Sequence, residues 1–161
     1  AWLVLLVVAG CTQGQPTGQA AGAPGPLPLR RDAVVEIATA GAGTVQVAVE
    51  VADDGREQAA GLMHRQLAGD GEGMLFIFAG ADTRTFWMRN VPASLDLLFL
   101  SPDLRLVALI RRAEPLSDRI LRSDAPAQYV LEVPGGFAER HGLEIGAQAR
   151  VSHAQGTTAP R

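Results

Sequence analysis

The stretch FWMRNVPASLDLLFL, residues 86 to 100, sets Trp87, Arg89, Asn90 and Asp96 among residues that otherwise read as buried strand. An indole beside a guanidinium offers an aromatic platform and a planar cationic fork, which is what a carbohydrate or a small anionic ligand would use. If residues 86 to 89 are extended, Phe86 and Met88 point to one face and Trp87 and Arg89 to the other. The first pair suits a core. The second suits either a ligand site or a simple surface stack of arginine on tryptophan, worth about 0.5–1 kcal/mol when exposed.

Two carboxylates invite a second chemistry. Asp96 and Glu132 lie in or beside apolar runs, where ionised groups are rarely buried unless paired. Together they could act as the acid and base of a glycoside-cleaving site, so a small hydrolase of envelope carbohydrate, using Asp96 with a second carboxylate, is one alternative function. The preferred reading has Asp96 accepting backbone or guanidinium hydrogen bonds that fix the turn from Asn90 to Ser94, with Arg65 as the expected guanidinium, and Glu132 facing solvent. Structural ion pairs perturb carboxylates as readily as catalytic sites do. The candidate ligand-binding residues are therefore Arg65, Trp87, Arg89, Asn90 and Asp96.

Other chemistries are excluded by composition. All 14 basic residues other than histidine are arginines, which removes Walker-type phosphate loops, Schiff-base lysines and Ser-Lys dyads. Gly135-Gly136 is then a turn. His64, His141 and His153 are too scattered for a zinc site, and no His-Glu-x-x-His occurs. Asp70 and Glu72 on a Gly-rich loop do not match an EF-hand. No Gly-x-Ser-x-Gly is present. Neither a metal nor an organic cofactor is expected, and a net charge of -3 with pI near 5.6 argues against nucleic acid as a partner.

The single cysteine points to an address. Trp2 to Val8 is apolar but far short of the roughly 20 residues that span a bilayer, and it suits the core of a secretion signal. Val8-Ala9-Gly10-Cys11 resembles the bacterial lipobox, in which the cysteine is acylated and becomes the new N-terminus. Residues 1–10 are expected to be a truncated lipoprotein signal, Cys11 the lipid attachment point, and the membrane a partner through it. Residues 11–31 then form a flexible Gly/Pro/Ala/Gln tether. Its twenty residues beyond the cysteine would span on the order of 25 Å. This predicts an exported protein anchored in the bacterial cell envelope and facing the periplasm.

The elements that must position the candidate residues are mostly short strands. Val45, Val47, Val49 and Val51 alternate with other residues at the strand period, and TAGAG joins them to the run Val34 to Ala38 as a hairpin. Asp54 and Glu57 form a capping box for a short helix running on through Ala59, Ala60, Leu62 and Met63. Further strands are predicted at 74–78, 85–88, 95–100, 105–110 and 129–133, with SPDL as a turn making a hairpin of the 95–100 and 105–110 runs. GGFAERHG reads as a second short helix ended by Gly142, and QARVS as a last strand. One domain is expected over 32–152, with 153–161 a disordered tail. The predicted fold is mainly β: a compact antiparallel sandwich or jelly-roll-like domain, or a partly closed barrel, with two short helices.

The motifs GLMHRQL, GMLFIF, FWMRN, SLDLLFL and YVLEVPGGFAERHGLEIG, in that order, resemble the DUF192 family, also called UPF0127. The resemblance spans roughly residues 44 to 151 and implies a compact, mainly β domain, often exported or lipid-anchored, with no assigned activity. The functional expectation is thus a lipid-anchored envelope protein whose domain binds a ligand. The alternatives are the hydrolase above and a structural or chaperone-like role.

Overall fold

The computed structural model describes residues 28–153; Cys11, the signal segment, most of the expected tether and the tail from 154 onward lie outside the described residues. Within them run β1 (Ala33–Ala38), β2 (Thr44–Ala52), α1 (Gly55–Ala60), β3 (Glu72–Asp82), β4 (Thr85–Phe86), β5 (Leu95–Leu100), β6 (Leu106–Ala113), β7 (Leu121–Arg122), β8 (Ala127–Pro134), α2 (Phe137–Arg140) and β9 (Ala149–His153). Seven strands make one sheet in the order β6-β5-β8-β3-β2-β1-β9, and β4 pairs with β7 apart from it. The mainly β expectation holds, with a sandwich-like body and two short helices.

One pairing departs from the antiparallel prediction. β2 and β3 run parallel, because the chain between them crosses over through α1 instead of reversing in a hairpin. The sheet also does not close into a barrel. Its two edges touch only where Arg105 bridges Gln148, with the amides of Leu106 and Ala149 donating to Ala147 O and Leu104 O.

Each face of the sheet carries its own core. On one side Val35, Ile37, Val47, Leu75, Leu98, Leu131 and Val133 pack with Phe137 and Ala138 of α2 and with Leu143. The opposite side holds Met74, Phe76, Leu97, Phe99 and Val130, covered by Leu62, Met88 and Val91 from the connecting loops. All six residues of β5 are consequently buried, which is why its sequence is a continuous apolar run with no alternation. The single polar residue in that run is Asp96.

Asp96 is 0% exposed, and three backbone amides converge on it. Oδ1 accepts from Arg112 N at 2.7 Å and Gly136 N at 2.9 Å, and Oδ2 from Ala138 N at 2.9 Å. The first of these lies in a bulge of β6, where pairing with β5 shifts register and Arg112 takes φ 48°. The other two open α2, and Gly136 at φ 83° makes the tight turn into that helix. One carboxylate therefore joins β5, β6 and the β8–α2 corner. This is the fixing role anticipated for Asp96, with donors of the backbone kind, but at a different turn and without Arg65.

The domain's bonds begin before Asp32. Arg30 N donates to Glu50 Oε2 at 2.8 Å, the Arg30 guanidinium bonds Glu57 at 2.9 Å, and Arg65 reaches Pro28 O. At the other end His153 still pairs with Ala33 in β9. Pro28, Arg30 and His153, just outside the expected limits of 32–152, thus still bond to the domain.

Replacing Asp96 with alanine leaves three buried amides without an acceptor, each costing about 1–3 kcal/mol. Urea unfolding of Asp96→Ala is expected to show a loss of at least about 3 kcal/mol, with Asp96→Asn, which keeps one carbonyl oxygen, losing less. A loss below about 1 kcal/mol would contradict this assignment.

Candidate functional site

The stretch 86–100 resolves into three separate jobs. Extended pairing stops at Phe86, shorter than the predicted 85–88, yet the expected facing holds: Met88 is buried and Phe86 packs in the core, edge-on to Phe76 at 5.2 Å and to Phe99 at 6.1 Å. Beyond Phe86 the chain turns, and its amides are taken up locally. Met88 N donates to Ser117 O, and Leu116 N to Val91 O. Asn90 sits at φ 59°, a left-handed conformation that asparagine tolerates, and its carbonyl accepts from His64 N at 2.7 Å. Asn90 is a turn residue.

Trp87 and Arg89 do meet, as a stack. The guanidinium lies 4.6 Å from the Trp87 ring centre and also pairs with Asp118 at 2.6 Å. Both of its partners are thus within the chain. Arg65 is engaged elsewhere, gripping Glu50 in a fork at 2.9 and 2.7 Å. That grip holds the Glu50 carboxyl below its ordinary range, chiefly through the Arg65 hydrogen bonds. The expected contact between Arg65 and Asp96 does not form, since each is bonded to a different partner. Of the five candidates, only Trp87 borders a cavity.

That cavity, about 390 Å³, opens between the end of α1, β4 and the 116–120 loop. Leu62, Phe76, Phe86, Trp87 and Ile120 form its walls, and Glu132 reaches it from β8. Trp87 at 44% and Ile120 at 58% exposure stand at the mouth. Pockets of roughly 300–1,000 Å³ with mainly apolar walls and few polar groups are where small ligands bind.

Glu132 is only 5% exposed, so the expectation that it faces solvent is wrong. β8 lies between β3 and β5, and a core packs on each of its faces, Leu131 and Val133 in one and Val130 in the other. In register, Glu132 lies opposite Met74 and Leu97, whereas Asp96 lies opposite Val133. Neighbours in register share a face, so Glu132 and Asp96 project to opposite sides of the sheet. They cannot flank one glycosidic bond. Burial alone pushes the Glu132 carboxyl up to about 8, with no hydrogen bond or nearby charge opposing it.

Among the described residues no cluster of three or more histidine, cysteine, aspartate or glutamate side chains could hold a metal. Asp70 bonds Arg140 and His141 at the surface, a salt-bridge network distant in role from the cavity. Sequence reading missed the cavity's aromatic walls because Phe76, Phe86 and Leu62 come from three separate segments. A signal for Glu132 did exist: it is the sole acid in a run, Tyr129 to Pro134, whose neighbours have no alternation to offer it a wet face.

A family model, DUF192, described as an uncharacterized ACR, matches residues 35–151. Two solved structures share the fold. One is described as a candidate transcription regulator from Sinorhizobium meliloti 1021 (31% identity, TM-score 0.73, covering 78% of this chain and 98% of that one). The other is a protein of unknown function from Novosphingobium aromaticivorans DSM 12444 (35% identity, TM-score 0.70, covering 86% and 99%). No curated protein matches the chain.

The buried carboxyl makes stability depend on pH. Between its ordinary 4.5 and about 8, the unfolded chain has released a proton that the folded one retains, so stability falls as pH rises through this window and levels off above it. Glu132→Gln removes the titration. Its stability relative to the parent is expected to rise by on the order of 4 kcal/mol between pH 4.5 and 8.5, read from urea unfolding at several pH values. A parallel pair of pH profiles would show that Glu132 does not titrate this way.

Proposed function

The chain belongs to the DUF192 family, and on that premise we propose that its β domain is a binding module that takes a small, largely apolar ligand in the cleft over Glu132, presented from the cell envelope by a lipid on Cys11. A single observation carries the binding reading: Glu132, a residue only 5% exposed whose carboxyl has no hydrogen-bond partner among the described residues, opens onto an apolar cavity of about 390 Å³. A buried polar group left unpaired costs free energy, and a ligand is what would supply its partner. Binding is favoured over hydrolysis because the cleft offers one ionisable side chain, and Asp96 is sealed on the far face of the sheet. The carbohydrate or anion expected at Trp87 and Arg89 is not favoured, since Arg89 is committed to Asp118 and an acid lies at the cleft floor. The regulator description of the Sinorhizobium protein is not carried over, given a net charge of -3 here.

The anchor reading rests on the lipobox-like Val8-Ala9-Gly10-Cys11 after an apolar run. No helix among the described residues is long and apolar enough to cross a membrane. The proposed acyl chains on Cys11 would each contribute about 0.8 kcal/mol per buried methylene.

Two experiments test these readings. A thermal-shift screen of apolar compounds sized to the cleft is expected to find binders that raise the unfolding temperature. Trp87→Ala should weaken them about tenfold, because the indole at the rim supplies roughly 1–2 kcal/mol of apolar burial to the ligand. Unchanged binding in that variant would place the ligand elsewhere. In a bacterial host, the full-length protein is expected to incorporate a fatty-acid analogue and Cys11→Ala to lose the label; labelling that persists would sink the anchor.

A further inference from the structure

Two acids stand on the same face of the sheet in one row, Glu50 on β2 and Glu132 on β8, with Met74 of β3 between them. Strands are spaced about 4.8 Å apart, so the two positions lie roughly 10 Å from each other. The chain treats them in opposite ways. Glu50 receives a guanidinium fork from Arg65 and the Arg30 amide. Glu132, more deeply placed, receives nothing.

Cations are not lacking nearby; they are spent. Arg84 bonds Ala127 O and Gly80 O while stacking on Phe78, and Arg89 pairs with Asp118 over Trp87. The cavity lining contains neither arginine nor histidine, and its one amide, Gln58, donates to Ile77 O. Resting on the cleft-binding reading above, we infer that the ligand is an apolar amine, bound as its ammonium with the charge on Glu132 and the hydrocarbon body between Phe76, Phe86, Leu62 and Trp87. An ammonium provides for Glu132 what Arg65 provides for Glu50. Beside a buried carboxyl that pairing is several-fold stronger than at the exposed surface, whereas an anionic ligand would be repelled as soon as the carboxyl ionised and a neutral one would make only a hydrogen bond to it.

The proton balance sets a signature. Burial keeps Glu132 protonated below about pH 8, so an entering ammonium, R–NH3+, displaces the carboxyl proton to solvent and pairs with the carboxylate that remains. Affinity must then rise with pH up to about 8 and level off, until the amine itself loses its proton near 10. A neutral ligand that accepts a hydrogen bond from the protonated carboxyl would behave oppositely and weaken above about pH 8.

The test is calorimetry on the full-length protein with 2-phenylethylamine, 2-phenylethanol and 3-phenylpropionate at pH 6, 7, 8 and 9. The amine is expected to bind best, to gain about tenfold in affinity per pH unit from 6 to 7, and to release close to one proton at pH 7, read from the dependence of the heat on buffer ionisation. Glu132→Gln should bring the amine down to the affinity of the alcohol. Tighter binding of the alcohol, with affinity falling above pH 8, would overturn the amine and leave the apolar cleft standing. Equal binding of the amine to Glu132→Gln, or no proton release by the parent, would also overturn it. Failure of all three probes to bind would overturn the cleft reading as well.

Discussion

The Asp96 carboxylate is the constraint on which the rest of this domain depends. α2 has four residues, far too few to be stable alone, yet Phe137 and Ala138 on it are fully buried and seal one core. They stay there because Gly136 N and Ala138 N end on Asp96. The same carboxylate takes the Arg112 amide where β6 bulges, so the edge of the sheet and its covering helix are located by one side chain. Its two oxygens meet three donors, which satisfies the carboxyl group at the centre of an apolar strand.

With one face closed in this way, the opposite face is free to differ. It is covered by loops: the 61–67 segment, the 87–94 turn and the chain around 116–120. Loops cover a sheet less completely than a helix packed on it, and the cleft lies in the gap they leave. The acids on the two faces divide accordingly. Asp96 is satisfied by backbone and serves the fold, Glu50 is satisfied by Arg65 and ties down the incoming chain at Arg30, and Glu132 is left for something outside the protein. All three residues are buried; what separates them is whether the chain provides a donor.

Much of this was legible in the residues. The valine alternation of β2, the Asp54 cap that accepts from Arg56 N and Glu57 N at 2.8 Å, the turn at SPDL and the helix after Gly135-Gly136 are local features, and local features are written in short windows. The first helix nevertheless stops at Ala60, with Gly61 at φ 46°, before Leu62 and Met63 could join it. What was not legible is non-local. The parallel β2–β3 pair depends on a crossover, Arg65 finds Glu50 instead of Asp96 across fifteen positions, and the side to which Glu132 points follows from register with two other strands. A strand covered on both faces has no amphipathic period, so nothing in its own sequence says which way its one acid will face.

The meeting of the two sheet edges has a further consequence. Exposed strand edges are templates on which other chains can add, by unpaired amides and carbonyls. Here β6 and β9 turn one end of those edges towards each other at the Arg105–Gln148 bridge, and along the rest they carry Arg111, Arg112 and Arg150. A neighbour approaching to extend the sheet would find part of the docking rail already used and long arginine side chains along the remainder. Where many copies are crowded together, that arrangement disfavours edge-to-edge addition of one domain to the next.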